Sequence, residues 1–376
     1  MPLVTATALL ALAAPLAAQD SLSMSWKGKT IAMEDIEGKL LSADAIEDQL
    51  ARYEEWILAN EYHVSLSKDG RVILITESSK LSKRRMKLVE KSLEAFDDLM
   101  SPPDRGASDE IFVGSSWGVG EHEPDSEPVV LIEVKKEAQY EQLCAGLGAL
   151  EPRLQGWASS MTREPGFAEE QVSAAAWQAA PDGFELGQVW RPENELVNRL
   201  SRLLLNRSFG PQPTWLRVAS AWRVEMEVMD SIYCFPYRQG FVGVGDHGGW
   251  ENDLKRTFKK RKKAPLEHKE FASWQRNTWS PEHAQLSWGF VEFLARHKPE
   301  VLPAIAEEFR LLYKAGSIVT EPDGSWRTNP SFQVPVEEQL AILTDNAGET
   351  LYEEASEFLR SWKRYKPKRA KRVRAK

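Results

Sequence analysis

Residues 194–227 constrain the fold of this 376-residue chain more tightly than any other stretch. They read as two helices with a break between them. In the first, Leu196, Leu200, Leu203 and Leu204 form one apolar stripe with Val197 at its edge, at the three- and four-residue spacing of a helix face. In the second, Trp215, Ala219, Trp222, Met226 and Met229 recur at similar spacing. Between them, Phe209-Gly210-Pro211-Gln212-Pro213 supplies the stop and the restart, since glycine permits the reversal and proline cannot continue a helix. Two apolar stripes this close in sequence must be buried together, so the rest of the chain has to provide a core around a helical hairpin.

The polar residues of the first helix, N-R-L-S-R from Asn198 to Arg202, admit two readings. One is the solvated side of an amphipathic helix. The other comes from the frame around them: Leu203-Leu204-Leu205, then Phe209-Gly210-Pro211, then Pro213-Thr214-Trp215-Leu216, then Ala221. This frame resembles the peptidase-MA-like (gluzincin) zinc metallopeptidases, especially their secreted bacterial branch. In that family the first helix carries H-E-x-x-H and the second a P-x-W-L-x-E-G-x-A segment. The specific motif covers roughly 35 residues, within the helix-start and helix-stop signals of this pair; a looser likeness covers most of the chain.

The resemblance implies a fold but not its chemistry. The H-E-x-x-H positions fall on Asn198, Arg199 and Arg202, and the third-ligand position falls on Val218. A zinc site of this kind needs imidazoles one turn apart, a third donor and a carboxylate base. Asn198 is a poor zinc ligand, Arg202 has no lone pair to give, Val218 has no donor, and Arg199 cannot act as a general base. The expectation is therefore no catalytic residue, no metal ligand and no cofactor.

Residues 1–19 look like an export signal: an Ala-rich apolar run from Leu3 to Ala18, then Gln19-Asp20. Cleavage gives a secreted or periplasmic protein; an uncleaved anchor is the alternative. No later stretch is apolar enough for a transmembrane span. Export permits a disulfide between Cys144 and Cys234, but their spacing does not demand one, and a buried thiol at Cys144 fits its place beside Leu143 and Leu147. The net charge of −8 hides an asymmetry, because residues 363–376 hold nine Lys/Arg and no acid. Within them Lys366, Lys368, Arg369, Lys371, Arg372, Arg374 and Lys376 are candidate anion-binding residues.

Along the chain, 26–36 is a polar lead-in with at most a short strand, and 43–58 reads as one helix. Residues 61–66 and 72–76 flank Asp69-Gly70, a hairpin signal. A helix is expected over 82–100, then a short strand at 111–113, a buried strand at 129–134 and a helix at 137–150. Weaker strand signals, AAAWQAA among them, occupy 164–190. After the helix pair come the aromatic segment 231–238, a Gly-rich stretch at 241–250 and a cationic run, KRTFKKRKK, at 255–263. Two helices at 280–297 and 299–315, a loop at 317–335, and helices at 336–344 and 349–362 complete the chain. The predicted class is α+β: a small mixed sheet with helices over 20–190, a mainly helical gluzincin-like lobe over 191–365, and a basic disordered tail at 366–376.

Two motif matches lack their context. Gly114-Ser115-Ser116-Trp117-Gly118 fits a nucleophile elbow, but Val119-Gly120-Glu121-His122-Glu123-Pro124 cannot start the helix that an elbow requires. Gly243-Val244-Gly245-Asp246-His247-Gly248 fits a dinucleotide fingerprint, but Gly249-Trp250-Glu251-Asn252-Asp253 does not read as the apolar helix of a β–α–β unit. The six histidines are never three or four apart, and His247 beside Asp246 is the one to watch. The two basic runs are read as a solvated loop and a frayed tail, with too few interleaved aromatics for specific nucleic-acid recognition.

The functional expectation is an exported, catalytically inactive scaffold that binds a peptide in the cleft between its lobes or serves a structural role. The alternatives are an active metal-dependent hydrolase using other ligands, and an envelope-interaction protein binding anionic partners through its tail.

Overall fold

The computed structural model describes residues 22–26, 29–33, 43–100, 127–150, 154–169, 172–181, 190–233, 247–261, 264–273, 280–320, 322, 326–329 and 332–362. The signal segment, the strand at 111–113, the elbow-like motif, Cys234 and the basic tail lie outside them. Strands β1 (Leu22–Trp26) and β2 (Lys29–Met33) pair as a hairpin of their own, where the sequence offered at most one short strand.

A five-stranded sheet organises the first half. Its strands are β3 (His63–Leu66), β4 (Val72–Thr76), β5 (Val129–Val134), β6 (Gly166–Glu169) and β7 (Ala174–Gln178), in the order β3-β4-β5-β7-β6. The three central strands are parallel and both edge strands run antiparallel to their neighbours. The β3–β4 turn uses Gly70 at φ 75°, a conformation glycine adopts without penalty, with Leu66 paired to Ile73 across it.

Both faces of the sheet are covered. Ile73, Ile75, Val130, Ile132 and Val134 pack on α1 (Ala43–Ala51), α2 (Glu54–Ala59), α4 (Glu137–Leu150) and the start of α5 (Gln155–Met161). Val72, Leu74, Val129, Leu131, Ala175 and Trp177 join the helical part of the chain in one continuous apolar cluster. Burial on both sides explains why the first four residues of β4 and of β5, Val72 to Ile75 and Val129 to Ile132, read as apolar runs instead of alternating ones. The single helix expected over 43–58 is two, separated at Arg52-Tyr53, where the Tyr53 N–H bonds back to Leu50 at the tighter three-residue spacing. Helix α3 (Ser79–Met100) starts earlier than expected, with the Ser78 hydroxyl accepting from the Leu81 N–H.

The second half is helical: α6 (Pro192–Phe209), α7 (Thr214–Met229), α8 (His247–Lys260), α9 (Lys269–Ala272), α10 (Pro281–His297), α11 (Val301–Ser317), α12 (Val336–Ala347) and α13 (Leu351–Ser361). The molecule is thus α+β, as expected. Helix α10 begins on Ser280, whose hydroxyl accepts the His283 N–H, with Pro281 in the first turn.

Two segments differ from their reading. Helix α8 opens inside the Gly-rich stretch and, as far as Lys260, takes up the cationic run that the sequence placed in a loop. Trp250, Leu254 and Phe258 bury one stripe of it, and Arg256, Lys259 and Lys260 are exposed. The stretch at 317–335 contains a short hairpin, β8 (Ile318–Thr320) with β9 (Trp326–Thr328). No helix of the described residues is long and apolar enough to cross a membrane.

Candidate functional site

Helix α6 is the centre of the molecule. The sheet, α3 and α7 pack around it, and twelve of its eighteen residues are buried, Asn194, Glu195, Asn198 and Ser201 among them. The reading of N-R-L-S-R as a solvated helix side is therefore overturned: Asn198 is 6% exposed. A helix buried this completely must satisfy every polar group it carries, because a buried unpaired group costs about 1–3 kcal/mol.

The pairing is specific. Asn198 Nδ2 donates to Glu225 Oε2 at 3.1 Å, and Asn194 Nδ2 donates to Glu225 Oε1 at 2.7 Å. The backbone N–H of Tyr233 donates to the same Oε1 at 2.6 Å. One turn along, Arg199 Nε and Nη2 reach Glu195 Oε2 at 2.9 and 2.7 Å. The two lie four residues apart on one helix face, and both side chains are largely withdrawn from solvent, so Arg199 is not a solvated surface cation. Arg202 is half-buried. Val218 is 4% exposed inside the main apolar cluster.

The hairpin therefore does not bring Asn198 and Arg202 together with a donor at position 218. It brings Asn198 to Glu225, seven residues beyond Val218 on α7. Glu225 is fully buried. Burial pushes its carboxyl up to about 8, with the negative charge of Glu195 adding to the rise and the N–H groups of Asn194, Tyr233 and Asn198 opposing it. Sequence reasoning missed Glu225 and Asn194. The signal that could have found Glu225 was its position: it lies three residues after Trp222 on the stripe that must face α6, where an acid needs a buried partner.

A second buried polar junction ties α6 to the sheet. Arg85 on α3 forks onto Glu133 on β5, Nε to Oε2 at 2.5 Å and Nη2 to Oε1 at 2.8 Å, and Nη1 reaches Glu193 in the first turn of α6. Arg85 and Glu133 are each 2% exposed. Burial would raise the Glu193 carboxyl, but Arg85 outweighs it and holds the group below the usual carboxylate range.

Trp215 and Trp222 are core, as expected; Met226 is only half-buried. Trp215 is ringed by His268, Phe271, Phe290 and Phe309, and its Nε1 donates to Gln339 Oε1 at 2.9 Å. Trp222 meets Trp250, which meets Trp288. His247 heads α8 against Trp250 and Trp288, and His268 bonds the Tyr352 hydroxyl through Nδ1 at 2.9 Å. Burial lowers both imidazoles to about 4. Cys144 is a buried free thiol, pushed up to about 12 by burial.

Among the described residues, no group of three His, Cys, Asp or Glu side chains is placed to hold a metal ion. The seven candidate anion-binding residues between Lys366 and Lys376 lie outside the described residues. A scan of the chain against protein-family models matches none, and a search of curated proteins returns no match.

Proposed function

We propose that this chain is an exported, catalytically inactive peptidase-MA-like protein acting as a binding or structural scaffold. One observation carries the reading. The positions where the resemblance would put ligands and base are committed to structure: Asn198 is bonded across the hairpin to Glu225, Arg199 along its own helix to Glu195, and Val218 is packed in the apolar cluster. A group committed in this way is not poised for a metal or a water. The partner of such a scaffold is a peptide or an anionic envelope component.

The test is elemental analysis of the purified exported protein, combined with an assay against unfolded protein substrates. The expected result is no stoichiometric zinc and no hydrolysis. About one zinc per chain, lost in Asn198→Ala, would sink the proposal, because metal binding by a real site must depend on its ligands.

A further inference from the structure

The α6–α7 hairpin contains a carboxyl group whose position does more than satisfy two asparagines. Glu225 lies near the end of α7. The helix stops at Asp230, whose left-handed backbone (φ 56°) turns the chain back on itself. The return brings Tyr233 to Glu225, so that one oxygen, Oε1, receives both the Tyr233 N–H and the Asn194 amide. The other oxygen receives Asn198. Asn194 also reaches the Ser231 carbonyl at 3.4 Å, and Arg191, just before α6, lies over the Tyr233 ring at 5.6 Å. A single side chain thus fastens the exit of α7 to the entrance of α6.

We propose that Glu225 is a proton-binding latch: whether its carboxyl carries a proton sets how firmly residues 230–233 are held against the start of α6. The physical basis is the enclosure. Glu225 is fully buried, and a like charge is close by on α6, where Glu195 is itself held by Arg199. Ionised, the group gains from three N–H donors but must sit in a medium that solvates charge poorly; protonated, it loses that penalty. Among the described residues Glu195 is the charge that acts on it; the other charged groups on the elements that meet here are Glu193 and Arg199 on α6, Arg85 on α3, Arg191 before α6, Asp230 after α7, and Arg223 and Glu227 on α7 itself. Helix α10, which packs on α7, adds Glu292 and Arg296; Glu292 is 3.2 Å from Arg223 and 2.6 Å from Arg296.

Glu225 binds its proton more tightly in the folded chain than in the unfolded one, near 8 against 4.5. The latch is therefore firmest below the unfolded value and weakens as pH rises through about 8. The inference stands whether or not the hairpin is that of a lapsed peptidase, since it uses only the buried carboxyl and its donors.

Amide hydrogen exchange of the full chain, corrected for intrinsic rates, tests it directly. In the wild type, protection of the Tyr233 N–H should fall as pH is raised from about 6 to 9, across the shifted carboxyl range. In Glu225→Gln, whose amide oxygen can keep two bonds while Asn198 flips its own amide, it should stay flat. Identical pH profiles in the two proteins would overturn the proposal. Because the variant can fail to fold, the carboxyl carbon shift of Glu225 is also followed by NMR in the wild type and in Glu195→Gln. The latch requires a midpoint above the ordinary glutamate range in the wild type, moving down in Glu195→Gln; an ordinary or unchanged midpoint rules it out.

Discussion

Arg85 shows how much a single side chain can hold here. It lies in a layer of apolar residues between the sheet and α6, forks onto Glu133 and touches Glu193. Arg85→Met leaves Glu133 as a buried unpaired charge, so a loss of about 3–5 kcal/mol is expected in chemical denaturation. The double variant Arg85→Met/Glu133→Leu should recover most of it, because no charge is then stranded; equal losses for the single and double variants would mean the guanidinium acts only by filling space. Histidine gives the complementary pH effect. His247 and His268 are held near 4 in the folded chain against 6.5 unfolded. The unfolded chain therefore binds more protons in that window, so stability present above about 6.5 is lost as pH falls toward 4. Melting temperature measured from pH 7 to 4 should drop, and His268→Gln should flatten part of that drop; a profile unchanged by the substitution would show that carboxylates elsewhere carry it.

Among the elements, the hairpin was legible in the sequence because its signals are redundant. The leucine stripe, the Gly-Pro break and the tryptophan stripe all say the same thing, and Leu196, Leu200, Leu203, Trp215 and Trp222 are all buried. What the pattern could not give was the burial of the opposite side of α6. Asn198 looks solvated until its partner Glu225 on α7 is known, and no local signal records a distant contact such as that of Arg85 with Glu193. The α8 helix was missed for another reason: His247-Gly248-Gly249 is poor helix-forming sequence, and its stability comes from Trp250, Leu254 and Phe258 packing on α10 and α13. That packing is close. A Cβ on Gly289 of α10 would stand 2.8 Å from both Leu254 Cδ1 and Leu359 Cδ2, so Gly289→Ala must push α8 or α13 side chains aside. The expected cost is about 1–3 kcal/mol. Trp222→Ala, which empties the space between α7 and α8, should cost about 3–5 kcal/mol. A Trp222→Ala protein that melts like the wild type would mean that the aromatic chain from Trp222 through Trp250 to Trp288 contributes little.

At the scale of the whole molecule, the chain separates an acidic body from a basic end. The formal charge is −8 although residues 363–376 contribute nine cations and no acid. The last described residue, Trp362, is anchored: it is 3% exposed, stacks on Trp288 at 4.8 Å and lies against Phe358. Arg360 adds a bond from Nε to the Phe258 carbonyl at 3.3 Å. The body is therefore closed by side chains that precede the basic run, and the run itself holds Val373 as its single branched apolar residue. Nine cations in fourteen positions leave the run little apolar surface. Its charge density would instead draw it to anionic surfaces, through released counterions and with steep salt dependence. Deletion after Tyr365 keeps Trp362 in place, so thermal stability should be unchanged, while retention on an anionic matrix at low salt should fall and the difference should vanish at high salt. A large drop in melting temperature on deletion would mean that the basic end docks on the acidic body, and the charge would then serve the fold rather than a partner.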